Sequence, residues 1–369
     1  MLLFQQKKTD DTNITDRKLY VISERYEVRE QLCQLFRLAG FHAVEDVPMG
    51  ITQMSTLAIP ENTNGVVIDI ADNIDVAGVV NSLQIQVPRN VWCCVVGDSD
   101  SISLAQSFAR NHIGYFNRHT QQDMAVEAAL SGAEYKYNRS AINITILGCK
   151  GGIGATTIAW QLAEELAQQK QLPILFMQGS RGSHDLDLII GKKLSQDITA
   201  VGKNLDVMST VSDYPNVEHD TAQRYNFAVF EQSIATADKE MMRLLAEKSR
   251  CMVLIIDRSL SSVRVACNMI ENTEQLRRNS PTPRRLLICL NDTRPVAEDS
   301  LSLVDIKNLL DNPIDIHFCY SRRNEPSKLV KKRQFHTSII QLTRVVLGDK
   351  YKPVQNIFSR LSALLQRDK

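Results

Sequence analysis

Two doubly wound parallel α/β domains in succession are predicted by three observations. Short, wholly apolar runs alternate with amphipathic stretches along most of the 369 residues. A further strand-like stretch, INITILG (142–148), feeds straight into a glycine-rich loop, GCKGGIGATT (148–157), and a helical pattern follows. The length suits about two domains, each large enough to bury its own core.

Residues 1–16 read as a flexible tail. The start, MLLFQQKKTDDTNITDR, opens with an apolar run of only four residues and has no cleavage-type pattern, so a signal peptide is not expected. KLYVIS (18–23) is the first strand. Val28, Leu32, Leu35, Phe36 and Ala39 then fall on one helical face, with Gly40 as the stop. GVVIDIAD (65–72) and VWCCVV (91–96) are continuous apolar runs of the kind a sheet covered on both faces requires, and GYF (114–116) closes the series. Five strands alternating with helices in about 120 residues indicate a small doubly wound domain over 17–136. The polar stretch AEYKYNRS (133–140) is the expected junction.

That order resembles a two-component receiver domain, a flavodoxin-like fold. Asp69, at the end of the third strand, matches the phosphoacceptor position. The rest of the pocket departs from the pattern. Ser23-Glu24 stands where the family has an acidic pair for Mg²⁺, and Arg118 stands at the position of its lysine. With one acidic ligand fewer, the metal should bind poorly. Asp69 is therefore expected to be a pseudo-phosphoacceptor, in a fold kept for interactions.

The second domain, 137–369, opens with the strand 142–148. The helix after the glycine loop presents Ile158, Leu162 and Leu166 on one face. Strand, glycine loop and helix together make a phosphate-binding hypothesis, because backbone N–H groups and the positive helix end converge on an anion. LPILFM (172–177), FAVF (227–230), CMVLII (251–256), RLLICL (285–290) and IDIHFCY (314–320) supply further buried strands.

A working phosphate loop reads G-x-x-x-x-G-K-[ST], with the lysine after the second glycine. Here that glycine is Gly154 and Ala155 replaces the lysine. Lys150 instead precedes the pair Gly151-Gly152, and Thr156 and Thr157 follow. This sequence resembles the deviant Walker A loop of the MinD/ParA ATPases, and Ser261-Ser262-Val263-Arg264 resembles a second segment of that family. The resemblance implies that Lys150 reaches a partner's phosphates across a homodimer, which couples ATP binding to dimerisation. It also implies Thr156 as a Mg²⁺ ligand and Asn291, after RLLICL, as an adenine contact. For the Walker B carboxylate, Glu231 at the end of FAVF is preferred and Asp257 is the alternative.

A small residue at 155 and a receiver-like domain in front point to one branch, the CpaE/TadZ proteins of Flp (tight adherence) pilus assembly. Membership would imply a cytoplasmic localisation factor at a cell pole, contacts with Tad/Cpa secretion-complex proteins and a peripheral inner-membrane association. Gln178 and Ser180 stand where MinD-like ATPases carry Asp-x-Asp. Phosphoryl transfer depends on positioned cations and carboxylates, so ATP binding with little or no turnover is expected. A cycling ParA-like ATPase, a phosphorylated response regulator and a nucleotide-independent scaffold are the competing readings.

Composition fits this picture. Charged residues at 23% and apolar residues at 43% describe an ordinary globular chain, and a net charge of +1 makes DNA an unexpected partner. Residues 1–140 carry a net −5 and the remainder a net +6. Eight cysteines without C-x-x-C spacing suggest neither a disulfide framework nor a zinc site, and a reducing compartment fits. Val354, Ile357, Phe358, Leu361, Leu364 and Leu365 form a helical stripe that either packs on its own domain or meets a membrane. The run Lys328–Arg333 is a basic cluster that offers either a solvated face or a contact with acidic lipid, DNA or a partner.

Overall fold

The computed structural model describes residues 18–60, 62–131, 141–183, 186–192, 194, 197–210, 212–216, 224–279, 284–320 and 333–348. The tail, the junction 133–140, the basic residues Lys328, Lys331 and Lys332 and the stripe 354–365 lie outside them. Among the described residues no helix is long and apolar enough to cross a membrane.

A smaller sheet contains β1 (Lys18–Ile22), β2 (Ala43–Val47), β3 (Gly65–Asp69), β4 (Trp92–Gly97) and β5 (Gly114–Asn117) in the order β2-β1-β3-β4-β5. Its registered pairs are all parallel. This is one of the two common doubly wound orders. The connections are α1 (Tyr26–Leu38), α2 (Val76–Gln86) and α3 (Ile102–Ala109), and α4 (Gln122–Ser131) follows β5. Helix α1 buries Val28, Leu32 and Phe36 as its periodicity requires, and Leu35 and Ala39 are half-buried beside them. It stops at Gly40, whose φ of +99° is a conformation glycine adopts without a Cβ penalty. Two apolar clusters fill the faces of the sheet, one around Ile22, Ile68, Leu83 and Phe108, the other around Leu19, Phe36, Val67 and Cys94.

The larger sheet has eight strands in the order β13-β12-β11-β6-β10-β7-β9-β8. They are β6 (Ile142–Gly148), β7 (Ile174–Gln178), β8 (Thr199–Gly202), β9 (Leu205–Ser209), β10 (Phe227–Ser233), β11 (Cys251–Ile256), β12 (Arg285–Asn291) and β13 (Ile316–Phe318). The registered pairs are parallel except β8 with β9. The helices are α5 (Ala155–Lys170), α6 (Leu186–Ile190), α7 (Lys239–Lys248), α8 (Leu260–Asn279), α9 (Leu303–Leu310) and α10 (Arg333–Val346). Ile158, Leu162 and Leu166 of α5 are fully buried, as the stripe predicts.

The chain divides into two compact units. The first is Met1–Asn143, Leu166–Ser180 and Ile190–Phe230; the second is Ile144–Glu165, Arg181–Ile189 and Glu231–Lys369. Within the first, the buried Asn226 donates from Nδ2 to the carbonyls of Val87 (2.8 Å) and Gln84 (3.3 Å) just past and near the end of α2.

One boundary differs from the sequence reading. FAVF is only the first part of β10, which continues through Glu231, Gln232 and Ser233. Ile142 N–H donates to Asn226 O, and Ile234 N–H to Gly148 O. These bonds hold the polar tail of β10 in strand conformation beside β6. Glu231 and Gln232 are both buried. Glu231 thus lies inside the strand and not at its tip.

Candidate functional site

The glycine loop joins β6 to α5 inside the second unit. Cys149 N–H donates to Ile255 O, which fixes the loop's start against β11. Gly152 (φ +73°) and Gly154 (φ +81°) adopt left-handed conformations that cost an L-residue ~1–2 kcal/mol. A Cβ on Gly151 or Gly152 would meet nothing within 4 Å, so this part of the loop borders open space. A Cβ on Gly154 would stand 2.7 Å from Asn291 Nδ2. The loop is therefore open where its glycines are paired and closed where it enters the helix.

Thr156 and Thr157 lie in the first turn of α5. Thr156 is buried, with Oγ1 3.0 Å from Ser183 Oγ, and Thr157 is half-buried. Ala155 begins the helix, and a Cβ on Gly148 would lie 3.1 Å from its own Cβ. The small residues at 148 and 155 thus allow the end of β6 and the start of α5 to approach closely. A cradle of this type fits an anion such as a nucleotide phosphate. Glycines provide the backbone approach, the helix start provides positive potential, and Lys150 and Thr156 provide a cation and a hydroxyl.

Lys150 is exposed, as are Gly151 and Gly152 beside it. Its Nζ donates to Asp257 Oδ2 (3.0 Å) and Ser259 Oγ (3.1 Å), just beyond β11 and at the entry to α8. Ser259 also donates to Asp257 from its own N–H (3.0 Å) and hydroxyl, and Asp257 N–H donates to Ser262 Oγ (3.2 Å). Ser261-Ser262-Val263-Arg264 forms the first turn of α8, so this segment shapes the turn that receives the loop lysine.

Burial raises the Asp257 carboxyl, but hydrogen bonds from Ser259 and Lys150 outweigh it and hold the group below its ordinary value of 3.8. A depressed folded value means the pair's stabilisation is complete above the ordinary value and is lost as pH falls through the depressed one. The pair is also partly exposed, at 43% for the lysine side chain and 21% for the aspartate. Exposed pairs of this kind contribute no more than ~1 kcal/mol. Asp257→Ala is therefore expected to lower the thermal midpoint by less than about 4 °C, constant from about pH 5 to 8 and vanishing in acid. A larger loss, or one that grows with pH, would contradict this.

The two Walker B candidates occupy different settings. Glu231 is buried in β10 and Asp257 is tied to Lys150; β10 and β11 are the two strands that flank β6. Asn291, the last residue of β12, donates from Nδ2 to the Ile153 carbonyl (2.7 Å) and braces the glycine loop. In the first unit, Gln178 ends β7. Ser180 N–H donates to Ser212 O (3.2 Å), and its hydroxyl donates to Asp213. Asp213 follows β9, a strand the sequence reading did not foresee, and so its place beside Ser180 was not foreseen either.

All eight cysteines are free, and burial pushes the Cys149 thiol in the loop upward, so it stays protonated. Among the described residues no group of three or more His, Cys, Asp or Glu is placed to hold a metal ion. Thr156, with either Glu231 or Asp257, would have to serve a nucleotide-borne Mg²⁺, an ion that keeps several waters and takes few protein ligands.

The carboxyl edge of the smaller sheet holds a second cluster. Asp69, the last residue of β3, accepts from Ser23 Oγ (2.6 Å), Ala71 N–H (3.0 Å) and the Arg25 guanidinium at Nε (2.8 Å) and Nη2 (2.5 Å). Arg25 also pairs with Asp98, which accepts 2.7 Å from Arg118 Nε. The hydrogen bond from Arg25 is the largest cause holding the Asp98 carboxyl below its ordinary value. Sequence reasoning identified Asp69 and Arg118 but not Arg25 or Asp98.

No protein-family model and no curated protein matches the chain. Among solved structures, it is similar to a ParA family ATPase from Chlorobium tepidum TLS, at 18% identity over 55% of this chain and 98% of that one, with a TM-score of 0.44. It is similar to the MinC:MinD cell division protein complex of Aquifex aeolicus at 18% identity over 58% and 99%, TM-score 0.44. The cell division ATPase MinD of Pyrococcus furiosus aligns at 13% identity over 55% and 97%, TM-score 0.38.

Proposed function

We propose that residues 137–369 form a MinD/ParA-like domain that binds ATP with Mg²⁺ and dimerises through its nucleotide face, behind an atypical receiver-like domain at 17–136. The chain then acts as a TadZ/CpaE-type localisation and assembly factor for Flp pilus secretion. It works in the cytoplasm near a pole of the inner membrane, alongside Tad/Cpa secretion proteins, with little or no ATP hydrolysis and no role for DNA.

The observation that carries the reading is the loop itself. Gly152 and Gly154 are left-handed between β6 and α5, and Lys150 reaches out of the loop while Ala155 packs at the helix start. A cation held by a partly exposed pair and one hydroxyl is free to exchange these partners for a phosphate, since charge-assisted contacts to phosphate are the stronger ones. Phosphates rest on Gly151, Gly152 and Gly154, Thr156 serves the metal and Asn291 holds the loop toward the base side. Glu231 is the preferred carboxylate for the metal's water, with Asp257 the alternative.

Light scattering with no nucleotide, with Mg-ADP and with Mg-ATP tests this, alongside phosphate release on the same samples. Wild type is expected to shift from monomer to dimer mass with Mg-ATP only, Lys150→Ala to stay monomeric, and phosphate release to stay near background. Nucleotide-independent mass in both proteins would defeat the proposal. It would favour a scaffold in which Lys150 is a permanent partner of Asp257, a reading the 3.0 Å contact supports.

A further inference from the structure

We infer that the crevice at the carboxyl edge of the smaller sheet is filled by the protein's own cation: the Arg25 guanidinium sits between Asp69 and Asp98, so these loops are fixed in one arrangement without an external ligand. The inference is independent of the nucleotide reading.

Topology locates the crevice. With β2 on one side of β1 and β3, β4 and β5 on the other, the winding reverses between β1 and β3. Ligands of open α/β sheets bind outside the carboxyl ends of the strands at such a point. Arg25 comes from the turn after β1 and fills that position.

The donor count shows how full the crevice is. A carboxylate offers about four lone-pair sites. Asp69, whose side chain is only 2% exposed, already accepts four hydrogen bonds, two from Arg25 and one each from Ser23 and Ala71. Arg25 turns Nη1 and Nη2 to Asp98, and Arg118 takes the same carboxylate from β5's side. Two arginines and two aspartates leave no net charge in the network. The four loops after β1, β3, β4 and β5 are joined through it.

The neighbouring acid does not contribute. Glu24 is exposed and lies over Gly50, where a Cβ would come within 2.3 Å of Oε1. The buried Arg29 instead donates from Nη1 to the Ser23 carbonyl (2.7 Å), which fixes the turn that carries Arg25. A divalent ion would have to displace a bidentate guanidinium from a carboxylate with no lone pair to spare. A phosphoryl group on Asp69 would have to break the same bonds and leave the network negative.

The test uses the full chain without nucleotide. Wild type, Arg25→Ala, Asp69→Asn and Arg25→Ala/Asp69→Asn are titrated with Mn²⁺ by electron paramagnetic resonance. Their thermal midpoints are read with and without 10 mM Mn²⁺ or methylguanidinium, concentrations on the order of those used in ligand-linked stabilisation. Wild type and Asp69→Asn are expected to behave alike, with no Mn²⁺ bound at the crevice and midpoints unchanged by either cation. Arg25→Ala is expected to gain one Mn²⁺ site and a midpoint rise of several degrees with either cation, and the double variant to lose both gains.

Three results would overturn the inference. They are Mn²⁺ binding by wild type that Asp69→Asn removes, labelling of wild-type Asp69 by acetyl phosphate, or a folded Arg25→Ala that responds to neither cation. Should Arg25→Ala not fold, the comparison of wild type with Asp69→Asn decides alone. Equal Mn²⁺ behaviour supports the self-filled crevice and unequal behaviour defeats it.

Discussion

Gly154→Ala is expected to lower Mg-ATP affinity about a hundredfold and the thermal midpoint by several degrees. Two costs combine. The residue sits at φ +81°, where a Cβ costs ~1–2 kcal/mol. The same Cβ would stand 2.7 Å from Asn291 Nδ2, closer than non-bonded atoms approach, so Asn291 must give way. Its side chain then loses the 2.7 Å bond to the Ile153 carbonyl, and a buried bond left unmade costs ~1–3 kcal/mol. About 3 kcal/mol is a factor of roughly a hundred if it falls on the loop's bound conformation. Calorimetric titration with Mg-ATP and a melting curve measure the two readouts. Gly151→Ala is the matched control. Its glycine has no left-handed backbone and open space around it, so the midpoint should change by less than about 2 °C; the melting curve is the control's readout, because that open space is where a phosphate is proposed to rest. Asn291→Ala separates the costs, because adding it to Gly154→Ala relieves the overlap and leaves the strain; the two changes should therefore couple by ~1 kcal/mol or more. If Gly154→Ala binds Mg-ATP like wild type, the loop is not where nucleotide sits.

Burial decided which strands were legible in advance. β11 is wrapped on both faces and reads as an unbroken apolar run, and β12 holds the apolar stretch LLICL between polar ends. β2, AVEDV, buries only Val44 and Val47 and carries two exposed acidic residues, as an edge strand can. β8 and β9 close the other sheet at its edge, one carrying a glycine and both only partly buried. Their signal in composition is correspondingly weak. Glu231 shows a different limit: pairing beside β6 keeps the backbone of β10 hydrogen-bonded whatever the side chains are, so the drop from FAVF to EQS does not mark a strand end. The glycine loop was legible because backbone geometry demands glycine at particular steps, and Gly152 and Gly154 are where φ turns positive. The partners of the loop and crevice cations were not. Lys150 meets Asp257 across 107 residues, and Arg25 meets Asp69 and Asp98 across 44 and 73. Such meetings depend on strand order, which no local pattern records.

Arg25→Ala is expected to destabilise the chain by about 3 kcal/mol at neutral pH and Asp69→Ala by less, although both remove the same pair. The asymmetry lies in what each change leaves behind. Without Arg25, the nearly inaccessible Asp69 keeps its charge but only the Ser23 hydroxyl and the Ala71 N–H to hold it. An uncompensated buried charge is the costly outcome of breaking such a pair. Without Asp69, the guanidinium is a third exposed and still pairs with Asp98, so water and one carboxylate satisfy it. The pH dependence follows from the same reasoning. In wild type, Asp98 is held below its ordinary value of 3.8, chiefly by Arg25; its contribution is complete above that value and is lost as pH falls through the depressed one. Removing Arg25 removes that contribution. The gap between wild type and Arg25→Ala should therefore stay level from about pH 7 to 5 and narrow only as pH falls below the ordinary value of 3.8. Urea denaturation across that range measures the gap directly. Arg25→Leu with Asp69→Asn, which removes both charges and keeps bulk, should cost less than Arg25→Ala alone, because nothing charged stays buried. If Asp69→Ala proves the more damaging change, the arginine rather than the carboxylate is the group that cannot stand alone. The crevice would then be held together by the desolvated cation.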